Sequence, residues 1–177
     1  MLETPRLILR RFAESDTDAI FAMRRDAEIM RFIRAPQTNR EETLSWLRLV
    51  SSKWEEEKIG FCAVIEKAAN EMIGWCGLWK LKETSEVEVG YAIARKHWKK
   101  GFASEAAEAF LQYGFDELNL KEIVAVAHPE NQASQSVMKR LGMTFDYIGK
   151  FYEIELVHFS ITKGEWQRLR AINLQQC

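Results

Sequence analysis

The apolar and polar positions of this chain change period several times, and each change predicts an element. After a glycine turn at 101, the residues Ala103, Ala106, Ala107, Phe110, Leu111, Gly114, Phe115 and Leu118 recur at helical spacing. Ser104, Glu105, Glu108, Gln112, Asp116 and Glu117 fall on the other side, so the stretch predicts an amphipathic helix ending near residue 120. Before it the period is that of strands. Residues 61–66 and 72–80 are β-rich around the polar turn 67–70 and predict a hairpin; 86–94 predicts a third strand after a turn at 83–85. Further upstream, 6–12 reads as a strand, 16–24 and 26–32 as helices, and Ala35-Pro36 as a break. Thr38-Asn39-Arg40-Glu41 has the spacing of a capping box and opens a longer helix with Leu44, Leu47, Val50 and Trp54 on one face. Downstream, 123–128 predicts a strand stopped by Pro129, and Asn131 caps a short helix that ends at Leu141 before Gly142. Residues 144–161 hold two strands with a turn near Gly149, and Thr162-Lys163-Gly164-Glu165 is a second capping box, opening a terminal helix to about Leu174.

This succession predicts an α+β or mixed α/β domain around one sheet. No repeat, low-complexity tract or linker interrupts it, so residues 1–177 are expected to form one domain. The strand at 86–94 sets Val87, Val89, Tyr91 and Ile93 on one face and Glu86, Glu88, Gly90, Ala92 and Ala94 on the other. The small residues leave room beside a carboxylate. The next segment, Trp98-Lys99-Lys100-Gly101-Phe102-Ala103-Ser104-Glu105-Ala106, runs a basic glycine turn into the helix. A helix start presents unpaired N–H groups and the positive end of the dipole, which suit phosphate oxygens. Gly101 allows close backbone approach, and Lys99 and Lys100 add charge. Spacing alone fits a plain helix start after a solvated turn equally well.

Bulk properties narrow the classes. The chain has 177 residues, 47% of them hydrophobic and 29% charged, which fits a water-soluble globular domain with a full core. No apolar run reaches bilayer length and the start lacks a signal-peptide pattern, so a cytoplasmic protein with no membrane partner is expected. A formal net charge of -1 argues against a nucleic-acid partner. Cys62, Cys76 and Cys177 are odd in number and scattered, as reduced thiols are. His97, His128 and His158 stand apart from one another and from cysteines, so no metal site is expected.

Three stretches together resemble the GNAT superfamily of acetyl-CoA-dependent N-acetyltransferases. They are Glu88-Val89-Gly90-Tyr91-Ala92-Ile93, the glycine turn from Trp98 to Ala106, and Asn131-Gln132-Ala133-Ser134-Gln135-Ser136-Val137-Met138-Lys139-Arg140-Leu141-Gly142-Met143. The opening Thr4-Pro5-Arg6-Leu7-Ile8-Leu9-Arg10 is similar to the branch of ribosomal-protein N-terminal acetyltransferases. The resemblance implies a mostly antiparallel central sheet with flanking helices, splayed at the cofactor site. It implies that acetyl-CoA lays its pantetheine arm along the strand backbone at Ile93 and Ala94. The pyrophosphate would rest on Lys99, Lys100, Gly101, Phe102, Ala103 and Ser104, with Asn131 and Ser134 facing the cofactor from the short helix. The partners implied are acetyl-CoA and an amine acceptor, and a homodimer is a common assembly in the family.

Acetyl transfer needs a neutral amine, a polarised carbonyl and a stabilised thiolate. Glu88 matches a strand carboxylate that acts as general base in some members, with Glu86 on the same face as a weaker candidate; an ordinary exposed glutamate is the alternative reading for Glu88. The usual family acid is a tyrosine at the position of Met138, so the sequence departs from the pattern there. In the ribosomal-protein branch a serine matching Ser134 serves the leaving thiolate; a cap or cofactor contact is the alternative. A lysine amine of pKa about 10.4 costs about 4.6 kcal/mol to neutralise at pH 7, an α-amine only about 1 kcal/mol. A site with one base and no tyrosine acid therefore favours the N-terminal α-amine of a protein or peptide. A small-molecule amine such as a polyamine or aminoglycoside, and a non-catalytic CoA-binding module, stay open as alternatives.

Overall fold

Both faces of the central strands are apolar, and helices cover each. The computed structural model describes residues 1–175. Its strands are β1 (Leu2–Glu3), β2 (Leu7–Arg10), β3 (Phe61–Glu66), β4 (Glu71–Lys80), β5 (Val87–Ile93), β6 (Glu122–Ala127), β7 (Thr144–Phe151) and β8 (Ile154–Thr162). Its helices are α1 (Thr17–Arg24), α2 (Ala27–Met30), α3 (Arg40–Glu57), α4 (Phe102–Asp116), α5 (Gln132–Arg140) and α6 (Lys163–Gln175). The strands form one sheet in the order β1-β2-β3-β4-β5-β6-β8-β7. Every neighbouring pair is antiparallel except β5–β6, which is parallel and shares a single rung, Glu88 with Val124. Past that rung the two strands part, which is the splay that the resemblance implied.

On one face, α4 buries Ala106, Ala107, Phe110, Leu111 and Phe115 among Leu7, Leu9, Val64, Leu78, Val89 and Ile123. Each of the Leu, Val, Ile and Phe side chains among them contributes roughly 1.5–3 kcal/mol when removed from water, and each alanine methyl under about 1 kcal/mol. On the other face, Ile20, Met23 and Met30 from α1 and α2 pack with Trp75 and Ala92. The two faces of β5 divide as its alternation predicts: Val89 and Ile93 lie with α4, Ala92 with the opposite helices. Among the described residues no helix is long and apolar enough to cross a membrane.

Several boundaries differ from the sequence expectation. A short β1 pairs with β2, and the strand expected at 6–12 contracts to Leu7–Arg10. The helix expected at 26–32 contracts to Ala27–Met30. The first capping box is shifted by one: extended Asn39, not Thr38, is the cap, and its side chain accepts from the Glu42 amide (3.0 Å) while Glu42 accepts from Asn39 Nδ2 (2.6 Å). The second box stands, with the Glu165 carboxylate accepting from the Thr162 amide at 2.9 Å. The final hairpin does not turn near Gly149, which pairs with Leu156 inside the ladder. It turns at Tyr152 and Glu153, both with positive φ (51° and 69°). Phe151, buried with Leu81, Val124 and Leu156, carries the strand past Gly149, and the Glu83 carboxylate accepts from the Tyr152 amide at 2.7 Å. Cys177 lies outside the described residues.

Candidate functional site

A cleft of about 570 Å³ opens where β5 leaves β6, between the segment following α2 and the starts of α4 and α5. Ile93, Lys99, Gly101, Phe102, Ala103, Ser104, Asn131 and Ser134 line it; Ala94 and Lys100 do not. Both peptide groups of Ala94 are committed within the protein, its N–H to the Ile73 carbonyl (2.8 Å) and its carbonyl to the His97 amide (2.9 Å). The Lys100 carbonyl accepts from Arg6 Nη1 at 2.9 Å.

The glycine turn leaves backbone donors facing the cleft. Lys99 and Gly101 both take positive φ (62° and 81°), which winds the backbone before α4 begins. The first helical bond runs from the Glu105 amide to the Gly101 carbonyl, and Gly101 supplies no side-chain cap. Among the described residues nothing accepts from the amides of residues 99–104. The first-turn carboxylate does not compete for them. Burial would raise Glu105, but hydrogen bonds from Thr4 and Arg6 hold it below the usual carboxylate range. Arg140, from the last turn of α5, also lines the cleft and donates to Ser104 Oγ at 3.3 Å. In the sequence Arg140 stands only as a basic residue in the last turn of the short helix. The signal was available: Ala133, Ser136, Val137 and Arg140 share a helical face, and all line the cleft.

Asn131 caps α5, accepting from the Ser134 amide at 3.1 Å, as the sequence predicts. Ser134 Oγ stands 3.1 Å from the Tyr91 hydroxyl, so a strand phenol and a helix hydroxyl meet across the cleft. Burial holds the Tyr91 phenol well above its ordinary pKa, keeping it protonated and able to donate. Met138 is buried in the core and offers no proton. Trp98 donates its indole N–H to the Ile93 carbonyl at 2.6 Å, tying the turn to the end of β5.

Glu88 lies on the opposite face of β5. It is not an exposed strand glutamate: the residue is 7% exposed, and burial pushes its carboxyl up to about 7, opposed by a hydrogen bond from Tyr152 and aided by the Glu83 charge. The Tyr152 hydroxyl donates to Glu88 Oε1. In the sequence Tyr152 reads as a plain strand residue or as one lining the acceptor groove; the later position of the hairpin turn is what brings its hydroxyl to Glu88. Glu86 faces His158 instead, with oxygen and Nε2 3.5 Å apart. Cys62 and Cys76 are buried, and burial pushes both thiols up, Cys62 to about 12, so neither suits a covalent acyl carrier.

Residues 6–144 match the family of the Acetyltransferase (GNAT) domain. The uncharacterized N-acetyltransferase p20 of Bacillus licheniformis is 31% identical over 173 residues, 93% of this chain and 97% of that protein. The crystal structure of the acetyltransferase (GNAT family) from Bacillus anthracis superposes with a TM-score of 0.78 at 27% identity, covering 92% of this chain and 98% of that one. The ribosomal L7/L12 alpha-N-protein acetyltransferase RimL, in complex with coenzyme A, shares the fold with a TM-score of 0.78 at 18% identity, covering 90% and 95%.

Proposed function

The chain belongs to the acetyltransferase (GNAT) family, and from that premise we propose that its acceptor is an α-amine, the N-terminus of a protein or peptide, attacking acetyl-CoA directly in a ternary complex. Acetyl-CoA supplies an activated acyl carbon and a thiolate leaving group. The free amides of 99–104, with Lys99 and Arg140, would hold the pyrophosphate. Glu88 would take the proton of the incoming amine as the C–N bond forms. Strand N–H groups near Tyr91 to Ile93 would support the charge on the carbonyl oxygen. As the C–S bond breaks, Ser134, backed by the Tyr91 hydroxyl at 3.1 Å, would give the thiolate its proton.

One observation carries the choice of acceptor. The Glu88 carboxyl sits at about 7, within about one unit of an α-amine (pKa about 7.7–8.0), so proton transfer between them is nearly balanced. Against a lysine-type amine of pKa about 10.4 the same transfer is uphill by about 3.4 units, roughly 4.6 kcal/mol. Resemblance of the opening Thr4 to Arg10 stretch to the ribosomal-protein branch supports the same reading.

The test is release of coenzyme A thiol with short peptides, polyamines and aminoglycosides offered separately. Peptides are expected to be consumed fastest, with a rate that rises through pH 7. Glu88→Gln should lose roughly 10²- to 10⁴-fold in kcat/KM at pH 7 and less at high pH. Faster turnover of polyamines or aminoglycosides would overturn the α-amine reading, and no thiol release at all would make the chain a binding module.

A further inference from the structure

We propose that Phe32, braced by His128, limits the length of the acyl group that this chain transfers. The inference rests on the donor orientation proposed above, with pyrophosphate at residues 99–104 and thioester at Ser134, and not on the choice of acceptor.

The segment after α2 is bent so that one ring turns inward. The helix stops at Met30, and the Ile33 and Arg34 amides both donate to the Met30 carbonyl (2.8 and 3.2 Å), which winds the chain into a tight turn. Met30 is buried in the cluster with Trp75 and Ala92, and the Gln37 amide donates to the Arg24 carbonyl at 2.9 Å, so the turn is held at both ends. Within residues 31–36 Phe32 is half-buried while its neighbours are exposed. It joins none of the buried clusters among the described residues. It lines the cleft instead, and its ring stacks on His128 with centres 5.1 Å apart and planes at 27°. The Arg31 guanidinium carbon lies 4.9 Å from the centre of the same ring.

This stack stands at the thioester end of the cleft. His128 directly follows β6, and its carbonyl accepts from the Asn131 amide at 2.8 Å. Its Nδ1 accepts from the Glu130 amide at 3.2 Å, which fixes the ring to the start of α5. Asn131 in turn accepts from the Ser134 amide. Arg140, at the pyrophosphate end, is further along α5 by about 9 Å at 1.5 Å per residue. Phe32 comes from the segment packed on β5 and His128 from the end of β6, so their contact joins the two sides of the splay. A donor arm running from the glycine turn past Ser134 would bring its acyl end to this pair of rings. An acetyl methyl can rest against a ring at van der Waals distance. Each further methylene must displace a ring held on both sides, and close-packed groups resist added volume.

The experiment offers acetyl-, propionyl- and butyryl-CoA with one amine acceptor. In the wild type kcat/KM is expected to fall roughly ten- to two-hundredfold for each added methylene. Phe32→Ala should cut the acetyl-to-butyryl ratio by roughly tenfold or more. His128→Ala keeps Phe32 but removes its brace, and should relax part of the same ratio. Both thioesters meet the same sample, so any loss of folded protein cancels. If no amine turns over, calorimetry reads the ratio as Kd. Equal use of butyryl- and acetyl-CoA by the wild type, or a ratio unmoved in both variants, would overturn the inference. A preference for polyamines over peptides would sink the α-amine reading without touching the acyl ratio. Coenzyme A affinity indifferent to Arg140→Gln would undo the donor orientation, and this inference with it.

Discussion

Glu88 carries a cost that can be measured apart from turnover. Its carboxyl rises from an ordinary value of 4.5 to about 7 in the folded protein. Between those values the native state binds more protons at this site than the unfolded chain. Stability from this group is therefore complete below about pH 4.5 and is lost as pH rises through about 7. The loss amounts to about 3 kcal/mol. Urea midpoints of the wild type should fall across that window relative to Glu88→Gln, and parallel curves would mean that Glu88 titrates normally. Tyr152 supplies the opposite push, since its hydroxyl favours the charged carboxylate. In Tyr152→Phe the apparent pKa in the kcat/KM profile should move up, with a several-fold loss at pH 7 that closes at high pH. A uniform loss at every pH would assign Tyr152 to acceptor contact instead.

At the scale of elements, the turn before α4 can be separated into charge and conformation. Lys99 takes φ 62°, a left-handed value that costs a side-chain-bearing residue roughly 1–2 kcal/mol relative to glycine. Lys99→Gly is expected to raise thermal stability while weakening acetyl-CoA binding, the loss shrinking in high salt as the missing charge is screened. Unchanged affinity at low salt would show that only the free amides matter there. This turn was legible in the sequence because glycine, lysines and a helical period are local signals, and so were α4, α5 and the two faces of β5. The hairpin tip was not. Gly149 looks like a turn, but Phe151 is held in the ladder by burial against Leu81 and Val124, residues more than twenty positions away in sequence. That tertiary contact moves the turn to Tyr152 and brings a phenol onto Glu88. The Phe32 stack was invisible for the same reason: its partner ring follows β6, far along the chain, and helical spacing shows Phe32 only as the last residue of a short helix.

Over the whole molecule, the sheet consists of two antiparallel parts joined by one parallel rung, Glu88 with Val124. The cleft occupies the place of the missing rungs, so whatever fills it touches β5, α4 and α5 together. Charge is arranged to match. The chain has 25 Lys and Arg against 26 Asp and Glu, yet Arg31, Lys99 and Arg140 line the cleft against Glu28 alone. Anion attraction is thus local, and it reinforces a weak seam in the fold. A ligand at one hundred times its Kd adds about 2.7 kcal/mol of stability. For a domain of this size that raises Tm by roughly 5–10 °C, at about 2–4 °C per kcal/mol. Coenzyme A should produce such a shift at low salt and a smaller one in molar salt, because phosphate contacts with Lys99 and Arg140 would be charge-assisted. Hydrogen exchange should slow at β5 and at the starts of α4 and α5, since these elements gain a common partner. A shift that ignored salt, or protection confined to α4, would mean that the ligand sits on the helix start alone and leaves the seam between the two parts of the sheet open.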